Sequence, residues 1–442
     1  MKSLMTMKLA RPACTLLLAA LLGAPVHAGI VQTDGNVPLL MDTGGTAEDP
    51  ARYIIGDTGA YAWGNSGQSP KIGENASYNH LVVQNGSTVT TFGAYVGYGG
   101  SSDFNSLTIT GGGSGWSGSQ ISVGSSGSNN TLVVENGAFM SIGLTSVVIG
   151  ANAGADNNSV IVRGTGSTWV SALGIDVGSE GANGSFRVEN GASVTVGNYF
   201  AVGWGDSGNA ALGSGNSAVI TGTGSTLTTG TGQDSLEIGH FSSGSSLLIS
   251  EGGALYSGGA YIGYGRNVNP AMGSGNEVLV TGSGSLWSSS GNLVVGEYGS
   301  GNSLTIRDGA LVKVDGLFSI STNGGTDNFL KIDDGFFAWK GNHVTGLDEM
   351  IDSGLFRIWD GSTWVTASVD DLSFLYFGSD LSAFDYTGYE GLGGYTILST
   401  VMIPEPGTLG MLGGVALLGF ASVYRRRRKD DTRQGYGVCS RD

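Results

Sequence analysis

A chain of 442 residues would ordinarily divide into two or three globular domains, but 80 glycines against eight prolines, with 13% charged residues, point to a repeat. The same figures exclude collagen, which needs glycine at every third position with abundant proline, and a Pro/Ser-rich linker. The formal charge is −16, yet Lys2, Lys8 and Arg11 open the chain and seven Lys/Arg follow Tyr424, leaving ten basic against 33 acidic residues between Gly29 and Gly407. A body that acidic repels phosphate backbones, which argues against nucleic acid as a partner.

Residues 1–28 read as a secretory signal peptide. Lys2, Lys8 and Arg11 precede the apolar stretch Thr15–Leu22, and Ala24-Pro25-Val26-His27-Ala28 ends on the small residue after which the general secretion machinery would release the chain. At roughly ten apolar residues the run is too short to cross a hydrocarbon core of about 30 Å. No cysteine follows it at a lipobox position, and Cys14 and Cys439 both lie in segments that this reading removes or leaves outside the fold. A body without cysteine cannot mispair in an oxidising compartment.

Residues 29–78 are expected to hold an N-terminal cap and, at Ile72-Gly73, an incomplete first coil. Over residues 79–342 the pattern Asn-x-apolar-x-apolar recurs in ten units, from Leu81/Val83 and Leu107/Ile109 to Leu304/Ile306 and Leu330/Ile332. That period of two is the mark of a half-buried strand. Most units close on an apolar-Gly pair such as Val96-Gly97, Val177-Gly178 or Val295-Gly296. Two corner types alternate: a glycine slot after the first strand (Asn85-Gly86, Asn136-Gly137, Asn190-Gly191, Gly252-Gly253, Asp308-Gly309) and Gly-x-Gly-Ser at 164–167, 222–225 and 282–285, near which Trp116, Trp169 and Trp287 fall. Such turns supply the positive φ that sharp corners demand.

Each unit therefore reads strand, corner, strand, corner, strand, loop, and cannot bury its apolar side alone. Stacking in register closes the hydrogen bonds and the core together, which predicts an all-β fold, a right-handed parallel β-helix, rather than a propeller, whose blades of 40–45 residues need hairpin signals that are missing here. Asn opens eight units (Asn79, Asn105, Asn130, Asn158, Asn216, Asn276, Asn302, Asn328), so stacked amides are expected to hydrogen-bond from coil to coil. The repeats resemble those shared by autotransporter passengers and PEP-CTERM proteins, a resemblance that implies an extracellular β-helix and specifies no activity.

Residues 343–402 crowd ten aromatics, among them Trp359, Trp364, Tyr376 and Tyr395, and are expected to form a β-rich cap over the last coil, because an open solenoid end is an aggregating edge. Residues 403–429 carry Pro404-Glu405-Pro406-Gly407, an apolar run to Tyr424 and the cluster Arg425, Arg426, Arg427 and Arg428. As a helix the run would reach about 26 Å, enough to span with flanking help, with the arginines on the cytoplasmic side. Motif, helix and basic end in this order resemble the PEP-CTERM sorting tail. The resemblance implies recognition by an exosortase, cleavage near 404–407 and delivery of the body to the cell surface or extracellular matrix, after transient anchoring in the inner membrane. Residues 430–442, an expected cytoplasmic tail, run past the point where the family's tails end.

Catalytic residues are not expected. Glycoside chemistry on a β-helix needs converging carboxylates; Asp176, Glu237 and Glu297 read as lying in different phases of alternate coils, and Glu135, Glu189, Glu251 and Asp308 as a repeated, solvated corner acid. His80, His240 and His343 read as isolated, so neither a metal nor another cofactor is expected. The expected function is a structural or adhesive surface protein without catalysis. The rival is a carbohydrate-active or carbohydrate-binding β-helix with extracellular polysaccharide as partner, favoured if Trp116, Trp169 and Trp287 line an exposed groove.

Overall fold

The computed structural model describes residues 30–31, 40–56, 59–63, 69–205, 209, 212–265, 272–378, 391–401 and 403. The signal segment with Ala28, the sorting motif Pro404 to Gly407 and the arginines 425–428 lie outside the described residues, as do the two helices expected there. What is described winds as a parallel β-solenoid of right-handed type with about 11 turns.

Each coil contributes one strand to each of three sheets, as Asn79–Val83, Thr88–Thr91 and Tyr95–Val96 show for one turn. Coils pair without slippage: Leu81 lies beside Leu107, Leu107 beside Leu132, and Leu132 beside Val160. Alternation sends Leu, Ile and Val of every first strand inward, where Leu81, Leu107, Leu132, Val160 and their counterparts join one continuous core. The strands Ala51–Ile55, Ala60–Trp63 and Lys71–Ile72 already supply one member to each sheet, so the stretch read as an incomplete coil holds a full one.

The corners explain why two unit types alternate. In Asn136-Gly137 both residues are left-handed, with φ of 57° and 81°, a bend that Asn tolerates and Gly prefers. The exposed Gly137 N–H then donates to the Oγ of Ser167, the serine that ends the Gly-x-Gly corner of the next coil, at 3.0 Å. Gly86 with Ser114, Gly191 with Ser225 and Gly252 with Ser285 repeat the contact at 2.9–3.0 Å. One corner type supplies the donor and the other the buried acceptor, so neither could occupy every coil. The fourth slot is Glu251-Gly252, with φ of 55° and 81°, rather than Gly252-Gly253 as the sequence pattern suggested.

A second device runs along the inside of the loop corner. Asn105 donates both its backbone N–H and its Nδ2 to Asn130 Oδ1 (2.8 and 3.1 Å), and Asn130 does the same to Asn158 (2.8 and 3.1 Å). Asn276, Asn302 and Asn328 continue the ladder. These amides are fully buried, and each satisfies a backbone donor that has no water to turn to. The ladder also accounts for the apolar-Gly pairs. Gly178 has φ +70°, and a Cβ there would stand 2.0 Å from Asn216 Nδ2.

At the C-terminal end the parallel regime stops. Trp364–Thr366 pairs antiparallel with Phe356–Trp359, closing the first sheet, and Tyr395–Ser399 followed by Ser373–Phe377 closes the second on Phe336–Lys340. Two helical turns, Val344–Met350 and Ile351–Leu355, lower Leu347 and Ile351 onto the core. Antiparallel strands and two short helical segments thus cover the last coil among the described residues. Beneath it a cavity of about 10 Å³ is lined by Phe318, Phe337, Trp339, Leu347 and Phe356; that is room for about one water.

Candidate functional site

The three tryptophans fail the test set for them. Trp116, Trp169 and Trp287 are 0% exposed and point into the core from the second sheet, Trp169 packing against Phe186 at 5.9 Å. Trp287 Nε1 donates to Ser257 Oγ at 3.0 Å. No sugar-stacking ladder is built from them.

The outer side of the third sheet carries a different group of polar and aromatic side chains. Asp176 on Ile175–Val177 lies beside Ala201, Ala201 beside Glu237, and Glu237 beside Tyr261. Asp176 and Glu237 therefore share one row, two strands apart, roughly 10 Å along the axis, which corrects the reading that placed them in different phases. That row continues through Tyr261 to Val294, and Glu297 stands three residues beyond it, beside Thr322, out of phase with the other two as that reading had it. Both row partners are nearly closed to solvent, Asp176 at 8% and Glu237 at 5% exposure.

The residues over them come from one slot, the position after the apolar-Gly pair. In three successive units that slot holds Trp204, His240 and Tyr264, and the 4.8 Å repeat of the coils turns a sequence recurrence into a ring stack. His240 lies parallel to Trp204 at 4.2 Å and against Tyr264 at 4.8 Å, with Phe241 edge-on at 4.1 Å. His240 Nδ1 stands 3.0 Å from Glu237 Oε2, without the alignment of a hydrogen bond. His240 is thus not isolated. Histidine spacing could not show this, but comparing the slot across units would have.

Tyr199 completes the cover. Its hydroxyl donates to Asp176 Oδ2 at 3.0 Å and lies 3.0 Å from Ser146 Oγ, while Asp176 Oδ1 is buried without a hydrogen-bond partner. Burial pushes the Asp176 carboxyl up to about 7, against the pull of the Tyr199 hydrogen bond, and the Glu237 charge adds to the rise. Burial, and then the Asp176 charge, also push the Tyr199 hydroxyl up to about 12. Glu297, held by Asn323 Nδ2 at 2.9 Å, is raised by burial as well.

Two carboxylates with one protonated near neutrality suit acid–base chemistry, but a general acid must come within about 3 Å of the oxygen it protonates. Tyr199, Trp204 and His240 occupy that approach. The cluster as arranged joins neighbouring coils.

The corner acids separate into two rows instead of one. Glu135 and Glu189 end their strands and flank Arg163, forming an outward ladder in which Arg163 Nη2 meets Glu135 Oε2 at 2.6 Å. Glu251 and Asp308 sit one residue later, in the left-handed slot occupied elsewhere by Asn136 and Asn190. Among the described residues no group of three or more His, Cys, Asp or Glu is placed to hold a metal ion, and no helix is long and apolar enough to cross a membrane.

Taken together, fold and cluster define a three-sided parallel β-solenoid with a closed polar seam on one face. No family model and no curated protein matches the chain. Among solved structures it is similar to a hyper-glycosylated fragment of TibA, glycosylated by TibC, at 13% identity over 65% of this chain and 97% of that one, with a TM-score of 0.28.

Proposed function

We propose that the chain is an exported, non-enzymatic solenoid that a PEP-CTERM tail and its exosortase deliver to the cell surface or extracellular matrix, where it serves as a structural or adhesive element. The observation that carries this reading is the closure of the third-sheet cluster: the two carboxylates best placed for chemistry lie beneath Tyr199, Trp204 and His240. The rival carbohydrate-active reading has lost the exposed tryptophan groove that would have favoured it.

Mass spectrometry of the native protein's two ends tests the route. The expected termini are Gly29 and a residue within 404–407, and recovery of an intact Met1 and Asp442 overturns it. Incubation with a panel of plant and bacterial polysaccharides tests the absence of catalysis; released oligosaccharides would refute it.

A further inference from the structure

The three outer faces differ sharply in charge. The first sheet bears Glu135, Arg163, Arg187 and Glu189, and the third bears Asp176, Glu237 and Glu297. By contrast, the eight consecutive second-sheet strands from Thr88–Thr91 to Leu286–Ser289 contain no charged residue. Register aligns one outward row across all eight: Thr90, Ser117, Ser141, Thr195, Thr228 and Ser288, interrupted by Val170 and Tyr256. A hydroxyl thus recurs at the strand spacing of about 4.8 Å.

A second observation falls on the same face. Of the eight large apolar side chains exposed among the described residues, five stand on these strands or at the corner that follows them: Phe92 (48%), Leu144 (67%), Val170 (48%), Leu173 (40%) and Tyr256 (42%). Single exposed apolar groups need no explanation, but their concentration beside an uncharged hydroxyl row does.

We propose that this second-sheet face is a docking surface for an uncharged polysaccharide. Sugar rings present apolar C–H faces flanked by hydroxyls, the two chemistries that the face sets side by side. An anionic polymer would find no Lys or Arg on these eight strands to offset its charge. Size argues against a second copy of the chain. Eight strands and about four residues of width cover roughly 450 Å², so two copies face to face would bury about 900 Å², below the roughly 1,200 Å² of a stable protein interface. A polymer instead repeats one weak contact along the rows and gains by multivalency.

The inference rests on the surface role proposed above for its setting but is tested apart from it, on the purified full chain. Depletion from solution by insoluble cellulose and by insoluble neutral mannan is compared with depletion by calcium alginate beads. Wild type is expected to bind at least one neutral polymer, and Ser141→Lys/Thr228→Lys, which places two separated charges on the face, is expected to retain less than a tenth of that binding. Thr108→Lys/Leu248→Lys on the first sheet is expected to bind as wild type, with the circular dichroism and melting of each variant confirming the fold. Equal loss in both variants, retention in both, binding to alginate alone, absence of binding, or a wild-type dimer that the first variant dissolves would each overturn the proposal. Correct termini with no binding would refute this inference alone, whereas binding by a protein that keeps both its ends would refute only the sorting route.

Discussion

Asp176 shows how far a single residue can depart from its ordinary chemistry here. Its carboxyl is raised to about 7 by burial, so the folded state holds the proton more tightly than the unfolded chain does. The stability it lends is present below the unfolded value near 4 and is lost as pH rises towards about 7, by up to about 4 kcal/mol at 1.36 kcal/mol per unit. Tyr199, Glu237 and His240 face it, so wild type must be compared with Asp176→Asn. The advantage of the variant over wild type is expected to be small at pH 4 and to grow towards pH 8, as measured by urea unfolding; an equal difference at both pH values would remove the buried carboxyl from the account. Gly178 offers a second test at this scale. Gly178→Ala meets both the left-handed penalty of about 1–2 kcal/mol and the Asn216 amide 2.0 Å from the new Cβ. Gly244, with φ +68° and open space around it, meets only the penalty, so Gly244→Ala should melt well above Gly178→Ala.

At the scale of elements, what couples one coil to the next is polar as well as apolar. Asn130→Ala strips Asn105 of the acceptor for its buried backbone N–H, and a cost of about 1–3 kcal/mol is expected in thermal or chemical unfolding. Gly184 and Ser245 break the ladder where Asn would have stood, and there the backbone N–H of each still reaches the next amide, Asn216 at 2.6 Å and Asn276 at 2.8 Å. The tryptophans allow a comparison at fixed size. Trp287→Phe loses the bond to Ser257, whereas Trp169 Nε1 is buried without a hydrogen-bond partner, so Trp287→Phe should cost about 1 kcal/mol more than Trp169→Phe.

For the molecule as a whole, the decisive feature is a long parallel body ended by antiparallel strands. A solenoid's stability is close to a sum over coils and the interfaces between them, and its open ends present unpaired backbone. Truncation after residue 342 would remove Tyr395–Ser399 from Phe336–Lys340. The shortened chain is expected to form higher oligomers in light scattering; a monodisperse monomer would show that the cap is dispensable. The three faces, one laced with ion pairs, one sealed by aromatics over acids and one uncharged, give the rod a direction around its axis that its repeat alone does not.

Much of this was legible because the governing signals are local. Alternation in Leu81/Val83 and its successors, glycine at corners needing positive φ, and Asn at the head of each unit each depend on a few adjacent residues, and together they determined the coil, its three sheets and the amide ladder. Only the tertiary structure decided which side chains share a row. Loops of unequal length separate the coils, so counting along the chain could not show that Asp176 and Glu237 align or that Glu251 takes an asparagine's place, and although the slot shared by Trp204, His240 and Tyr264 can be read by comparing units, the stacking of their rings cannot. The inward turn of Trp169 was equally undecidable from its strand, because Thr-Trp-Val-Ser carries a large apolar residue on both faces and the choice falls to the neighbouring coils, where Met140 and Val194 already point to the core.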